Sequence, residues 1–189
     1  MFDSEILKGL GNEDVESIAE AIWTSTNSTR RLEALLERVQ TMECNQGYQL
    51  FKLIWPTCDA TGPHAKLASE YLNSCLDDVE LAEHLTKEEC QWYDTLPDYI
   101  RVYRGADTQS LYGLSWTTNK ETALQFARGH RGIFNEAPAL LSGFIRKYNI
   151  LMADNSRKEF ELLTDFELVS QIRVVNYYPE CNGIKPRFK

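Results

Sequence analysis

A change of pattern near Leu96-Pro97 limits the folds open to this chain more than any other feature. Before it, apolar residues recur at helical spacing. After it they alternate over short runs bounded by turn-forming residues. Val15, Ile18, Ala19 and Ile22 form one stripe within Glu13 to Trp23, and Leu32, Leu35, Leu36 and Val39 form another within Thr29 to Met42. Ser25-Thr26-Asn27-Ser28 breaks the two and offers caps. Tyr48 to Trp55 reads as a short apolar stretch ended by Pro56. Ala65 to Leu85 holds one or two further helices, with Leu67, Tyr71, Leu72 and Cys75 at helical spacing, and Glu88 to Tyr93 one more turn.

Beyond Pro97, β-rich alternation marks Asp98 to Tyr103, Ala139 to Ile145, Phe160 to Leu163 and Ile172 to Tyr178. Lys120 to Arg128 is the one helical run among them, with Ala123, Phe126 and Ala127 facing inward. The expected architecture is α+β: a helical N-terminal lobe, residues 1–97, packed on a mixed, mainly antiparallel β-core, residues 98–189, as one compact unit. A chain of 189 residues buries enough surface to fold without disulfides or metal.

The five cysteines are odd in number and widely spaced, with no C-x-x-C, so they read as reduced structural thiols. The three histidines supply no short-spaced metal-ligand pairs, and no metal is expected. No apolar run approaches the length of a membrane span, and Met1-Phe2-Asp3-Ser4-Glu5 lacks the basic start of a signal peptide. The expectation is a soluble cytoplasmic protein, of its producer or of a recipient cell if delivered. The net charge of −8 is divided unequally: residues 1–100 carry 7 Lys+Arg against 19 Asp+Glu, and residues 101–189 carry 13 against 9. A basic half attracts phosphate-bearing ligands, whereas the net acidity disfavours nucleic acid as a partner.

Three fragments of the basic half carry chemistry. Val102-Tyr103-Arg104-Gly105 ends a strand and begins a loop, where a permanently charged guanidinium fork suits phosphate and a glycine admits close approach. Ser115-Trp116-Thr117-Thr118 places two hydroxyls on one face of a strand, and Thr118 or Asn119 caps the helix that follows. Glu159-Phe160-Glu161-Leu162-Leu163, if extended, points two carboxylates to one face, where they repel unless cations or hydroxyls stand nearby. Each has a bland alternative: a surface ion pair, hydroxyls satisfying backbone donors, an exposed face beside Arg157 and Lys158. Glu167, on similar alternation, is a rival carboxylate.

In order and spacing, residues 101–178 resemble the arginine-serine-glutamate class of mono-ADP-ribosyltransferases, especially small bacterial and bacteriophage forms of toxin-like effector. Ser115 to Ala127 looks like that family's Ser-Thr-Ser strand and following helix. The resemblance implies a β-core of the ADP-ribosyltransferase type, NAD as substrate, and no metal. It implies that Arg104 binds the NAD phosphates and that Gly105 meets the nicotinamide carboxamide through its backbone. Ser115 would orient a catalytic Glu161, Trp116 and Thr117 would complete the hydroxyl strand of the cofactor site, and Glu159 would position the acceptor. Glutamate at position 159 resembles arginine-modifying enzymes, so the implied partner is a target protein presenting arginine. Two departures stand out. Trp116 and Thr117 replace the second and third residues of Ser-Thr-Ser, and the turn Met152 to Lys158 lacks the aromatic common before Glu-x-Glu in arginine-specific toxins. Tyr112, Phe126 and Phe134 are candidates to stack on nicotinamide, and Arg128 to Pro138, with His130 and Arg131, is the candidate loop over the cofactor.

The chemistry is coherent by itself. Cleaving the nicotinamide–ribose bond builds oxocarbenium character, as in glycoside hydrolysis, and one carboxylate stabilises it. A protein guanidinium stays protonated, with a pKa above about 12, so a second carboxylate must hold it and take its proton. NAD hydrolysis, or NAD or partner binding without turnover, are the alternatives from the same site.

Overall fold

The structure, a computed structural model, describes residues 14–59, 61–76, 80–129 and 135–176. Two compact units divide it, Met1–His84 and Leu85–Lys189. The first is helical. In α1 (Val15–Ser25) Asp14 caps the first turn by accepting from Ser17 N at 2.8 Å, and Ile18, Ala19 and Ile22 are buried. In α2 (Arg31–Val39) the four expected apolar residues are all buried.

Two details differ from the sequence expectation. The stretch Tyr48 to Trp55 is the second half of a full helix, α3 (Cys44–Ile54). Gly47 hides it in the sequence, because glycine is a poor helix former. Packing explains the glycine: a Cβ there would run into the Tyr71 hydroxyl of α4 (Ala65–Leu76). Within α4 the buried stripe is Ala68, Ser69, Leu72 and Cys75, and Leu67 is 57% exposed. Helix α3 packs against α1, α2 and α4, with Phe51 stacked between Trp55 and Tyr71 at ring distances of 5.5 and 6.3 Å.

The second unit opens with α5 (Lys87–Asp94), two turns where the sequence suggests one, held by a reciprocal Thr86–Glu89 capping box. Six strands follow: β1 (Tyr99–Asp107), β2 (Ser115–Thr117), β3 (Pro138–Arg146), β4 (Met152–Asp154), β5 (Glu161–Leu163) and β6 (Ser170–Asn176). They form one sheet in the order β4-β5-β2-β1-β3-β6, antiparallel at every pairing. Between β2 and β3, α6 (Lys120–Arg128) packs on β1, β2 and β3. Asn119 caps this helix, accepting from Glu121 N at 2.9 Å. The helix buries Ala123 and Ala127, while Phe126 is half-buried.

The strand predicted to end at Tyr103 runs on through Arg104 and Gly105 to Asp107, paired with β3 along all nine residues. The ladder holds the loop-like sequence extended. Gly105 lies against α6, where a Cβ would collide with Ala123 O and Ala127 N. The expected extension of Glu159 to Leu163 also fails at its start. Lys158 and Phe160 have φ of 58° and 52°, so regular strand begins only at Glu161. Cross-strand neighbours share a sheet face. One row therefore runs over the whole sheet: Asp154, Glu161, Thr117, Tyr103, Ser142 and Arg173.

Candidate functional site

The register of β2 on β5 sets Thr117 opposite Glu161 and Ser115 opposite Leu163, so both hydroxyls share the face of the Glu161 carboxylate. The Ser115 hydroxyl donates to Glu161 Oε1. Thr117 Oγ1 donates to the Glu159 carbonyl at 2.6 Å and accepts from Asn119 N at 2.9 Å, tying the Glu159 turn to the start of α6. The two hydroxyls thus have separate tasks: one holds a carboxylate, the other holds the backbone that presents its neighbour.

Glu161 is only 7% exposed, and the two carboxylates converge without the extended geometry that alternation suggests. The left-handed Lys158 and Phe160 turn the chain on either side of Glu159. The convergence is bridged by Arg157, whose Nη2 lies 2.8 Å from Glu159 Oε2 and 3.4 Å from Glu161 Oε2. The sequence shows Arg157 only as a nearby surface charge. Its spacing of two and four residues from the glutamates is the signal, but it acquires meaning only in this turn. On β4, Asp154 stands opposite Glu161, buried, and accepts from Ser156 N at 2.7 Å to close the turn.

Arg104 alternates with Tyr103 along β1 and starts from the other sheet face. Its guanidinium reaches the main chain of β2, donating from Nη1 to Ser115 O at 2.8 Å and from Nε to Leu111 O at 3.2 Å. Burial pushes its pKa down to about 10, opposed by the nearby Glu161 charge. Gly113 makes room for it, since a Cβ there would strike the guanidinium. Arg104 therefore joins the site through the carbonyl of Ser115, and its Nη2 makes none of the described hydrogen bonds. Gly105 lies under α6, so helix packing by itself accounts for the glycine.

Trp116 is buried on the opposite side of β2 from the two hydroxyls, with Leu162 as its register partner. Its ring lies 6.0 Å from that of Phe166, and its indole N–H has no partner among the described residues. Its side chain is not brought to the carboxylates. Glu167 is exposed in a short turn, Phe166–Leu168, and does not join Ser115. Of the stacking candidates, Tyr112 is 73% exposed against Phe166, with ring centroids 4.6 Å apart. Residues 130–134, including His130, Arg131 and Phe134, lie outside the described residues. Beside these residues, Asn135 Nδ2 donates to Phe126 O and Ala127 O at 3.0 and 2.9 Å, and Asp107 Oδ2 accepts from Ala137 N at 2.9 Å. The backbone N–H groups of Ala137 and Gln109, each donating to one carboxylate oxygen, hold the Asp107 carboxyl below its ordinary range.

Among the described residues, Cys44, Cys58, Cys75 and Cys90 form no disulfide. Burial pushes Cys58 up to about 12, which removes it as a nucleophile near neutral pH. Among the described residues no helix is long and apolar enough to cross a membrane. No protein-family model matches the chain, and no curated protein or solved structure is detectably similar to it.

Proposed function

We propose that this chain is an NAD-dependent mono-ADP-ribosyltransferase that transfers ADP-ribose to a protein side chain, arginine by preference, and releases nicotinamide. The observation that carries the reading is the grip on the carboxylates: Ser115 on one oxygen of Glu161, with Glu159 beside it on the same cation. In this reading Glu161 stabilises the positive charge that grows at the ribose anomeric carbon as its bond to nicotinamide breaks. Ser115 fixes the orientation of Glu161, so the carboxylate need not reorganise as charge develops. Glu159 holds the attacking guanidinium and takes its proton, and the new bond joins the anomeric carbon to that nitrogen. Arg104, with donors left over after its two carbonyl bonds, is the phosphate ligand.

Arg157 supports arginine as acceptor in a direct way. A guanidinium already lies against both carboxylates, so their spacing suits one. The same observation favours a second reading. With Arg157 holding the acceptor position, water is the attacking group that remains, and the chain acts as an NAD glycohydrolase.

The test is incubation with labelled NAD and a cell lysate, followed by mass spectrometry of the modified residues and assay of free nicotinamide. Glu161→Gln should abolish both transfer and nicotinamide release. Glu159→Ala should abolish transfer to arginine and spare hydrolysis. A wild-type chain that releases no nicotinamide would refute the enzyme reading and leave a binding module of the same fold.

A further inference from the structure

The net acidity of the chain conceals a local surface of the opposite kind. In the three rows of the sheet from Tyr99 to Tyr103, one face carries Tyr99 opposite Arg146, Arg101 opposite Phe144, and Tyr103 opposite Ser142, which in turn stands opposite Arg173. Arg101, Arg146 and Arg173 are exposed, Tyr99 is 39% exposed, and Tyr103 and Phe144 are half-buried. Helix α6 packs against the next row, over Gly105. No Asp or Glu occupies this face on β1, β3 or β6 in those rows, and none of the three arginines makes an ion pair with a described carboxylate.

The side chains interleave. The Tyr99 and Phe144 rings stack at 5.1 Å and 3°. The Arg146 guanidinium lies 5.1 Å from the Tyr99 ring, and that of Arg101 lies 5.6 Å from Phe144 and 5.7 Å from Tyr103. Stacked in this way, a guanidinium keeps its in-plane N–H groups for an outside acceptor. The Tyr99 hydroxyl is fixed by Ser170 Oγ at 2.6 Å, which orders the ring at the rim.

We infer that this face binds single-stranded nucleic acid. Unpaired bases offer flat rings to half-exposed aromatics, and phosphates offer in-plane acceptors to the three guanidiniums. An acidic peptide would meet the charge but leave the ring ladder unused. A duplex hides its base faces and would meet only the arginines. Charges beyond about 8 Å are largely screened at physiological ionic strength, so the local set decides binding whatever the net charge. The inference is independent of any NAD chemistry at Glu161.

The experiment is fluorescence anisotropy of the 189-residue chain with labelled twelve-nucleotide U-rich RNA, its T-rich DNA counterpart, a duplex of the same length, and polyglutamate as competitor. Either single strand should bind. Three phosphate contacts give a slope of about −2 in log affinity against log salt. Arg101→Gln with Arg146→Gln should bring the slope to about −0.7. Tyr99→Leu with Tyr103→Leu should weaken binding at least about thirtyfold at unchanged slope. Arg30→Gln, on the helical unit, should leave binding as it was, and circular dichroism melts establish that each variant is folded. Preference for RNA or for DNA would identify the source and support the inference either way. No binding at low salt, duplex binding as tight as single strand, equal competition by polyglutamate, or an unaffected tyrosine variant would each overturn it.

Discussion

Glu161 is held from two sides, and that arrangement can be tested by a double-mutant cycle. Ser115 grips Oε1, and Arg157 approaches Oε2 at 3.4 Å. A hydrogen bond to a charged acceptor contributes about 1.5–3 kcal/mol. With Glu161 only 7% exposed, water replaces the lost hydroxyl poorly, so Ser115→Ala should cost about 2–3 kcal/mol. Arg157→Met keeps the aliphatic stem and removes the charge. Its side chain is 30% exposed and that of Glu161 9%, which sets the pair between two limits. An exposed pair contributes about 0.2–1 kcal/mol, and breaking a buried one costs about 3–5 kcal/mol, so about 1–3 kcal/mol is expected here. Each single variant leaves the carboxylate pinned by its remaining partner in a desolvated place. Removing both lifts the constraint that each partner places on the geometry of the other, so the double variant should cost at least about 1 kcal/mol less than the sum.

Urea denaturation followed by circular dichroism and tryptophan fluorescence gives the four stabilities, provided the slope with urea is constant across the set. Repeating Ser115→Ala in a Glu161→Gln background should reduce its cost to about 1 kcal/mol, the value for a neutral acceptor. Additivity within about 0.5 kcal/mol, or an undiminished Ser115→Ala effect in the Glu161→Gln background, would show that the hydroxyl and the guanidinium do not act on one carboxylate.

Three further outcomes follow from particular contacts. Gly105→Ala should destabilise the sheet unit by about 1–3 kcal/mol, because its Cβ meets the backbone of α6 and not a flexible side chain; an unchanged melting temperature would contradict that packing. Lys158→Gly should stabilise the protein by up to about 1 kcal/mol, since the left-handed φ of 58° is strained for lysine and free for glycine; a lower melting temperature would show that the strain is absent. His84 stacks on the buried Tyr48 at 4.0 Å, neither ring nitrogen has a hydrogen-bond partner among the described residues, and burial lowers its pKa. The unfolded chain then binds more protons, so stability is fully present above the unfolded value of about 6.5 and falls as pH drops below it. His84→Phe should flatten that decline in acid titrations of the melting temperature, and a decline of unchanged steepness would clear His84 of the effect.

What the sequence disclosed, and what it withheld, follows from the range of the interactions involved. Periodicity is local, so α1, α2, α6 and the long pairing partners β1 and β3 are legible from it. The continuation of β1 through Arg104 and Gly105 was not, because a nine-residue ladder with a distant strand overrode a loop-like dipeptide. The hydroxyl pair of β2 is legible from the same alternation that sets Trp116 apart from it. Alternation puts Ser115 and Thr117 on one face and sends the residue between them to the other, so the Trp116 side chain lies away from the carboxylates. The bridging of Glu159 and Glu161 by Arg157 lay beyond periodicity altogether. It depends on two left-handed residues, Lys158 and Phe160, neither of a type that announces such a turn. Residues in sparsely populated backbone regions persist where the surroundings hold them, often beside functional groups. Here the holding contacts are visible: Thr117 on the Glu159 carbonyl, Thr118 N on the Phe160 carbonyl at 3.2 Å, and Asp154 on the amide of Ser156. The strained turn is therefore tied to the same strand that carries Ser115. A change in that turn should move the glutamates relative to the hydroxyl before it disturbs the sheet.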